Sequence, residues 1–207
     1  MTTSRDVLFT SLDQGSGGGV EEGGLSLALA GAEVIDLLGA EVVGLDGDRI
    51  VPGDLVSLAD PLLERAASAL VREAPYESVG DWLWRRGRGL FAAYLAVLEA
   101  EGSVGRRHRR GVPFGAGRLV PVDSPDRRDA ASRWASKEPV LVSLAAALGI
   151  RGEEGVDAVG SADSPGTDDD AVDTVLAAVH DALTRLEAMR LRRTIEQAAF
   201  DNVWRGD

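Results

Sequence analysis

Residues 25–38, LSLALAGAEVIDLL, place apolar or small side chains around almost the whole circumference of a helix. A helix of that kind is stable only when other elements cover most of it, so the pattern predicts a central, buried helix over Leu25 to Leu38. Its surroundings must be built with few large rings, because aromatic residues make up 5% of the chain while 44% is hydrophobic. Ala, Leu and Val then fill the core, which favours close-packed helices over a β-sandwich. The same region, continued to Leu45, is the longest apolar stretch, and Glu33, Asp36 and Glu41 interrupt it too often for a lipid-exposed span.

Other segments read as elements that would pack around this helix. Asp6 to Leu12 has helical spacing and leads into the breaker run Gly15-Ser16-Gly17-Gly18-Gly19. Asp46-Gly47, between β-formers, predicts a hairpin over Glu41 to Val51. Asp60-Pro61 supplies an N-cap and a first-turn proline for a helix that reads as ending near Pro75. Asp81 to Arg86 and Leu90 to Glu101 read as two further helices. Val104 to Arg110 and Arg118 to Val122 form a second hairpin, which after those helices gives a winged-helix-like unit. Ser124-Pro125 opens a helix running to about Lys137, and Val140 to Ile150 forms the next one. The Gly-, Ser-, Asp- and Pro-rich stretch 151–168 reads as a linker to a long helix over 169–204. The expected fold is therefore mainly α, a single domain with a core over 5–150, short β-hairpins and a long C-terminal helix.

The residues offer no enzyme signature. With 0 Cys, disulfides, thiolate nucleophiles and thiolate metal sites are excluded. His108 and His180 stand apart from any ligand spacing, and the glycine run lacks the Lys-Ser/Thr of a phosphate-gripping loop. The acids Asp46 and Asp48 fall in too short a run for a calcium loop, and Asp168 to Asp170 suit a helix N-terminus. No catalytic residue, metal or cofactor is expected. The start Met1-Thr2-Thr3-Ser4-Arg5-Asp6 has no apolar run behind it, which with the absence of Cys reads as a cytoplasmic chain without a secretory signal.

The formal net charge of −12 opposes nonspecific nucleic-acid binding. The cations, all Arg apart from Lys137, are nonetheless clustered: Arg85, Arg86 and Arg88; Arg106, Arg107, Arg109 and Arg110; then Arg127, Arg128 and Arg133. A local basic face on an acidic protein is one reading of this pattern. Trp82 and Trp84, two residues apart on a helix, point to different faces. Either both are partly buried, or one packs while the other meets a partner.

Read end to end, the order of segments resembles the Golgi phosphoprotein 3-like family, peripheral membrane adaptors of eukaryotes with many bacterial, especially actinobacterial, relatives. The residues that carry the resemblance are Asp6 to Leu12 before the Gly loop, Ala28 to Leu37, Asp60 to Ala66, Val79 to Leu83, Leu95 to Gly102, Pro121 and Leu141 to Ile150. The resemblance implies a largely helical, non-enzymatic, often oligomeric protein. It also implies binding of the phosphatidylinositol 4-phosphate head group through a Trp, an Arg on the buried helix and two basic residues on the helix after the hairpin. Here Glu21 falls at or near the Trp position and Ala30 at the Arg position. Arg133 matches a basic position in either alignment, whereas Lys137 matches in one and Ala130 takes a basic position in the other.

Two functions follow as expectations. One is a peripheral adaptor that binds an anionic lipid head group or phosphorylated ligand weakly through Arg127, Arg128, Arg133 and Lys137. The other is a cytosolic protein-binding or oligomerising scaffold that has lost lipid recognition, since Glu21 and Ala30 remove charge-assisted phosphate contacts. In both, the hairpin arms with Arg106, Arg107, Arg109 and Arg110 flank an apolar tip at Phe114, suited to a membrane interface or a neighbouring subunit. Phe114 is expected to be exposed in the monomer and covered in an assembly. Phe114→Asp should then change oligomeric mass by light scattering, or lipid binding, while circular dichroism shows the fold intact; if neither changes, the hairpin has no such role.

Overall fold

The computed structural model describes residues 2–14, 21–54, 56–107, 118–150, 167 and 169–204, with the backbone alone at 107, 118 and 198–204. Eight helices and two antiparallel hairpins are present among the described residues: α1 (Thr3–Gln14), α2 (Glu22–Gly39), β1 (Val43–Asp46), β2 (Arg49–Pro52), α3 (Pro61–Ser68), α4 (Val79–Arg86), α5 (Leu90–Ala100), β3 (Val104–Arg107), β4 (Arg118–Pro121), α6 (Pro125–Ala135), α7 (Pro139–Ala147) and α8 (Asp170–Trp204). The mainly helical class and the long last helix are as the sequence predicts. The glycine run at 15–19, His108, Arg109, Arg110, Phe114 with its tip, and the linker over 151–166 lie outside the described residues.

α2 is the centre. Gly24 to Ile35 and Leu37 are buried, and α1, α3, α4, α5 and α8 all pack on it. Small residues make this crowding feasible. A Cβ on Gly31 would fall 2.2 Å from Cγ2 of Val179, so glycine lets α8 approach α2 closely. Trp82 is wholly buried and donates its indole N–H to the Ala30 carbonyl at 3.0 Å, which leaves that large ring without an orphan donor.

Two of the acids that interrupt the apolar run, Glu33 and Asp36, are in use inside it, whereas Glu41 is exposed. Glu33, fully buried, takes two hydrogen bonds from Arg86 at 2.8 Å each and one from the Tyr94 hydroxyl at 3.2 Å. Asp36 accepts from the backbone N–H groups of Thr3 and Ser4 and from the Ser4 hydroxyl, at 2.7, 3.1 and 2.7 Å. It thereby caps the start of α1 from a different helix and satisfies donors that every helix N-terminus leaves open. Burial drives the pKa of both carboxyls upward, against the pull of these partners.

Several boundaries differ from the sequence reading. α3 stops at Ser68 instead of near Pro75: Leu70 turns into the core, and Arg85 donates to the freed Ala69 carbonyl at 3.1 Å. The first hairpin turns at Gly47 and Asp48, one residue later than Asp46-Gly47 implied, because Asp46 pairs with Arg49. Gly47 takes the left-handed conformation there, with φ +59°. α6 ends at Ala135, and Lys137 adopts a left-handed φ of +56° between α6 and α7.

Arg5 ties the periphery together. Its Nε donates to Asp60 at 2.5 Å and its two terminal nitrogens donate to Glu101 at 2.7 and 3.0 Å. Asp60 also caps α3 through Leu62 and Leu63, so one guanidinium joins α1 to the start of α3 and the end of α5. Hydrogen bonding to Glu101 is the largest influence on its already high pKa, which rises further. Arg5→Met should lower the unfolding free energy by about 3–5 kcal/mol, the usual consequence of stranding one side of a buried ion pair. Removing the exposed Arg106–Glu99 pair with Arg106→Ala should cost at most about 1 kcal/mol. Urea unfolding of the two variants checks the contrast.

Candidate functional site

The four predicted cations lie on α6 and in the turn that follows it. Ser124 caps α6 by accepting from the Arg127 N–H at 3.2 Å, and Pro125 occupies the first turn. Ala130 is buried, and Trp134 packs partly against the core. α6 lies antiparallel on α1 through two ionic rungs. Near one end Arg127 makes a paired contact with Asp13, at 3.1 and 2.8 Å. Near the other, Arg133 donates to Asp6 and also approaches Glu138 at 3.2 Å. Asp6 and Asp13 are two turns apart on one face of α1, which is why residues six apart on α6 can meet both.

Arg127 and Arg133 are therefore held by carboxylates, although one third of each side chain remains exposed. Arg128 and Lys137 face solvent. Arg128 has only a loose contact with the equally exposed Asp123, at 3.4 Å. On the second hairpin Arg106 pairs with Glu99 at 2.8 Å, and Arg107 lies on β3.

Asp6 is the unusual member of this group. It is wholly buried, its Oδ2 accepts from Arg133 and its Oδ1 has no hydrogen-bond partner among the described residues. Burial pushes its pKa up to about 6, with Arg133 opposing the shift. The carboxylate is thus a strained counter-ion for Arg133, close to neutralisation under mildly acidic conditions.

Glu21 and Ala30 do not supply the contacts that a Trp and an Arg would give. Glu21 stands at the start of α2 and pairs with Arg190 of α8. Ala30 is buried, and its carbonyl serves Trp82. Neither side chain offers a donor to an anion.

A surface that sequence reasoning did not assemble lies on the α8 side of α2. Trp84, unlike Trp82, is only partly buried. It borders a cleft of about 320 Å³ with Ser26, Leu27, Arg88 and Phe91. It also borders a shallower hollow of about 510 Å³ with Arg185, Ala188, Met189 and Arg192. The two-residue offset of the tryptophans was the available signal; the proximity of α8 was not readable across the intervening chain. Arg85, Arg86 and Arg88 diverge: Arg85 pairs with Glu77 and lies 5.1 Å over the Trp82 ring, Arg86 goes inward to Glu33, and Arg88 faces solvent.

The family model described as Golgi phosphoprotein 3 (GPP34) matches residues 4–186. The chain belongs to that family. No curated protein matches it. The Golgi phosphoprotein 3 match takes in α1 to α7 and the packed half of α8, and leaves the rest of α8 outside. No helix among the described residues is long and apolar enough to cross a membrane.

The folded pKa of Asp6 lies above that of an unfolded aspartate, so protonating it favours the fold. This stabilisation is complete below about pH 4 and is lost as pH rises through about 6. Asp6→Asn should therefore flatten the pH dependence of stability by up to about 1.4 kcal/mol per pH unit within that window. Urea unfolding at a series of pH values compares the two slopes; parallel slopes would mean that Asp6 titrates normally.

Proposed function

We propose that this member of the Golgi phosphoprotein 3 family is a non-enzymatic, bacterial peripheral adaptor that meets an anionic lipid head group, or a phosphorylated ligand, weakly from the cytoplasmic side of a membrane. The core, the linker over 151–168 and the C-terminal helix act in this reading as one domain. The observation that carries it is the placement of Arg128 and Lys137, both exposed, on and just after the helix that also displays the outer edges of Arg127 and Arg133. In a chain of net charge −12, such a face is the exception to the surrounding field.

Weakness has a physical cause. Asp6, Asp13 and Glu138 already compensate Arg127 and Arg133, so an incoming phosphate competes with bound carboxylates. The two exposed cations contribute about 1 kcal/mol each near an anionic surface, and the interaction fades with salt over a Debye length of about 10 Å at 0.1 M.

A second reading, a protein-binding or self-associating scaffold, is favoured by Glu21 and Ala30, which withhold two of the contacts expected for head-group recognition. Flotation with vesicles containing phosphatidylinositol 4-phosphate or cardiolipin separates the readings. The adaptor should float with anionic but not neutral vesicles at low salt, and R128E/K137E should weaken binding by at least about thirtyfold, the equivalent of two such contacts. Absence of any anionic-lipid dependence at low salt would overturn the adaptor and leave the scaffold.

A further inference from the structure

α8 changes character along its length. Through its first half Val172, Val175, Val179 and Ala182 are buried, and this half packs on α2, α4 and α7. From Leu191 to Gln197 every residue is exposed. At 3.6 residues per turn, the inward-facing stripe continues through Arg190, Arg193, Thr194 and Gln197, all polar. Ala188, Leu191 and Ile195 fall on the opposite side. Leu191 is 63% exposed, Ile195 59% and Met189 42%. The apolar face has therefore rotated from the protein to the solvent, and it does so around Arg190, where the pair with Glu21 makes the last tie to α2.

The charges around this face are mostly positive. Over 185–197 there are four arginines, Arg185, Arg190, Arg192 and Arg193, against two acids, Glu187 and Glu196. Among the described residues, Arg185, Arg192 and Arg193 have no ion-pair partner, nor has Arg88 on the far side of Trp84. This is the reverse of α6, where carboxylates already hold the better-placed arginines.

We infer that the exposed half of α8, together with Trp84, is a second contact with an anionic bilayer surface. The inference rests on the reading of the chain as a peripheral adaptor and adds a face separate from α6. Unpaired cations interleaved with exposed apolar residues match an anionic interface, where alkyl side chains enter the acyl boundary and long Arg side chains reach back to the head groups. A bilayer suits this surface better than a folded partner does. Met189, Leu191 and Ile195 leave a convex helix at different angles with arginines between them; a fluid interface adapts to that, whereas a rigid protein would need a matching groove of fixed counter-charges. Trp84 lies beside this helix at its junction with the body, an amphipathic ring of the type that settles at head-group level.

The test uses the full chain with phosphatidylglycerol–phosphatidylcholine vesicles and with phosphatidylcholine vesicles at low salt. The variants L191D/I195D and R185E/R192E change only exposed side chains, and circular dichroism and urea unfolding confirm that each folds. Binding of the wild type to the anionic vesicles, a loss of about tenfold or more in L191D/I195D, and loss of the phosphatidylglycerol dependence in R185E/R192E are expected. If both variants bind like the wild type while R128E/K137E does not bind, this inference is overturned and the adaptor stands. If the wild type ignores anionic vesicles altogether, both fall. If L191D/I195D instead dissolves a dimer seen by light scattering and leaves vesicle binding unchanged, the face belongs to a second copy of the chain and the inference is overturned.

Discussion

The guanidinium of Arg5, on a side chain only 8% exposed, is the contact on which the arrangement of the outer helices depends. It emerges from the first turns of α1 and is met by Asp60, by Glu101 and, at 3.8 Å, by Asp126 at the start of α6. Three chain segments far apart in sequence thus converge on one cation. Hydrophobic packing can place helices against α2, but it is non-directional; the fork of an arginine fixes azimuth and register. With α1 set in this way, Asp6 and Asp13 point towards α6 and determine where its arginines lie. The candidate anion face is consequently derived from α1, although none of its cations belongs to that helix.

The same arrangement limits what the face can do. Each of the two less exposed arginines of α6 exists as half of an ion pair, and the partner of Arg133 is a buried carboxylate that solvation would favour more than the protein does. An anion arriving at this face would therefore compete with the fold for the same cations. On α8, by contrast, Arg185, Arg192 and Arg193 have no ion-pair partner among the described residues, and the region matched by the family ends at residue 186, near the start of that stretch.

How much of this was readable from sequence follows from the range of each interaction. Local signals read well: Asp60 and Ser124 as caps with following prolines, the two hairpins, and α2 as the buried centre. They failed where a distant residue decided the outcome. The end of α3 depends on Arg85 reaching the Ala69 carbonyl. The basic run at 85–88 looks like one patch, yet its members separate to a surface pair, a buried pair and solvent, because successive helical positions differ by 100°. Arg133 reads as a free cation until its partner, 127 residues earlier in the chain, is seen beside it. Charge clusters in sequence mark candidates, and only the tertiary pairing distinguishes a ligand-ready cation from a structural one.

Asp36 caps α1 from within the buried central helix α2, and this bears on the behaviour of the first turn of α1. The leading amides of a helix lack an intrahelical acceptor and, when left to solvent, ordinarily exchange their protons readily. Those of Thr3 and Ser4 are bonded to a carboxylate of α2, and Ser4 has no exposed surface. Their exchange with deuterium is then governed by the separation of α1 from α2, so the first turn of α1 reports on the opening of the protein's centre.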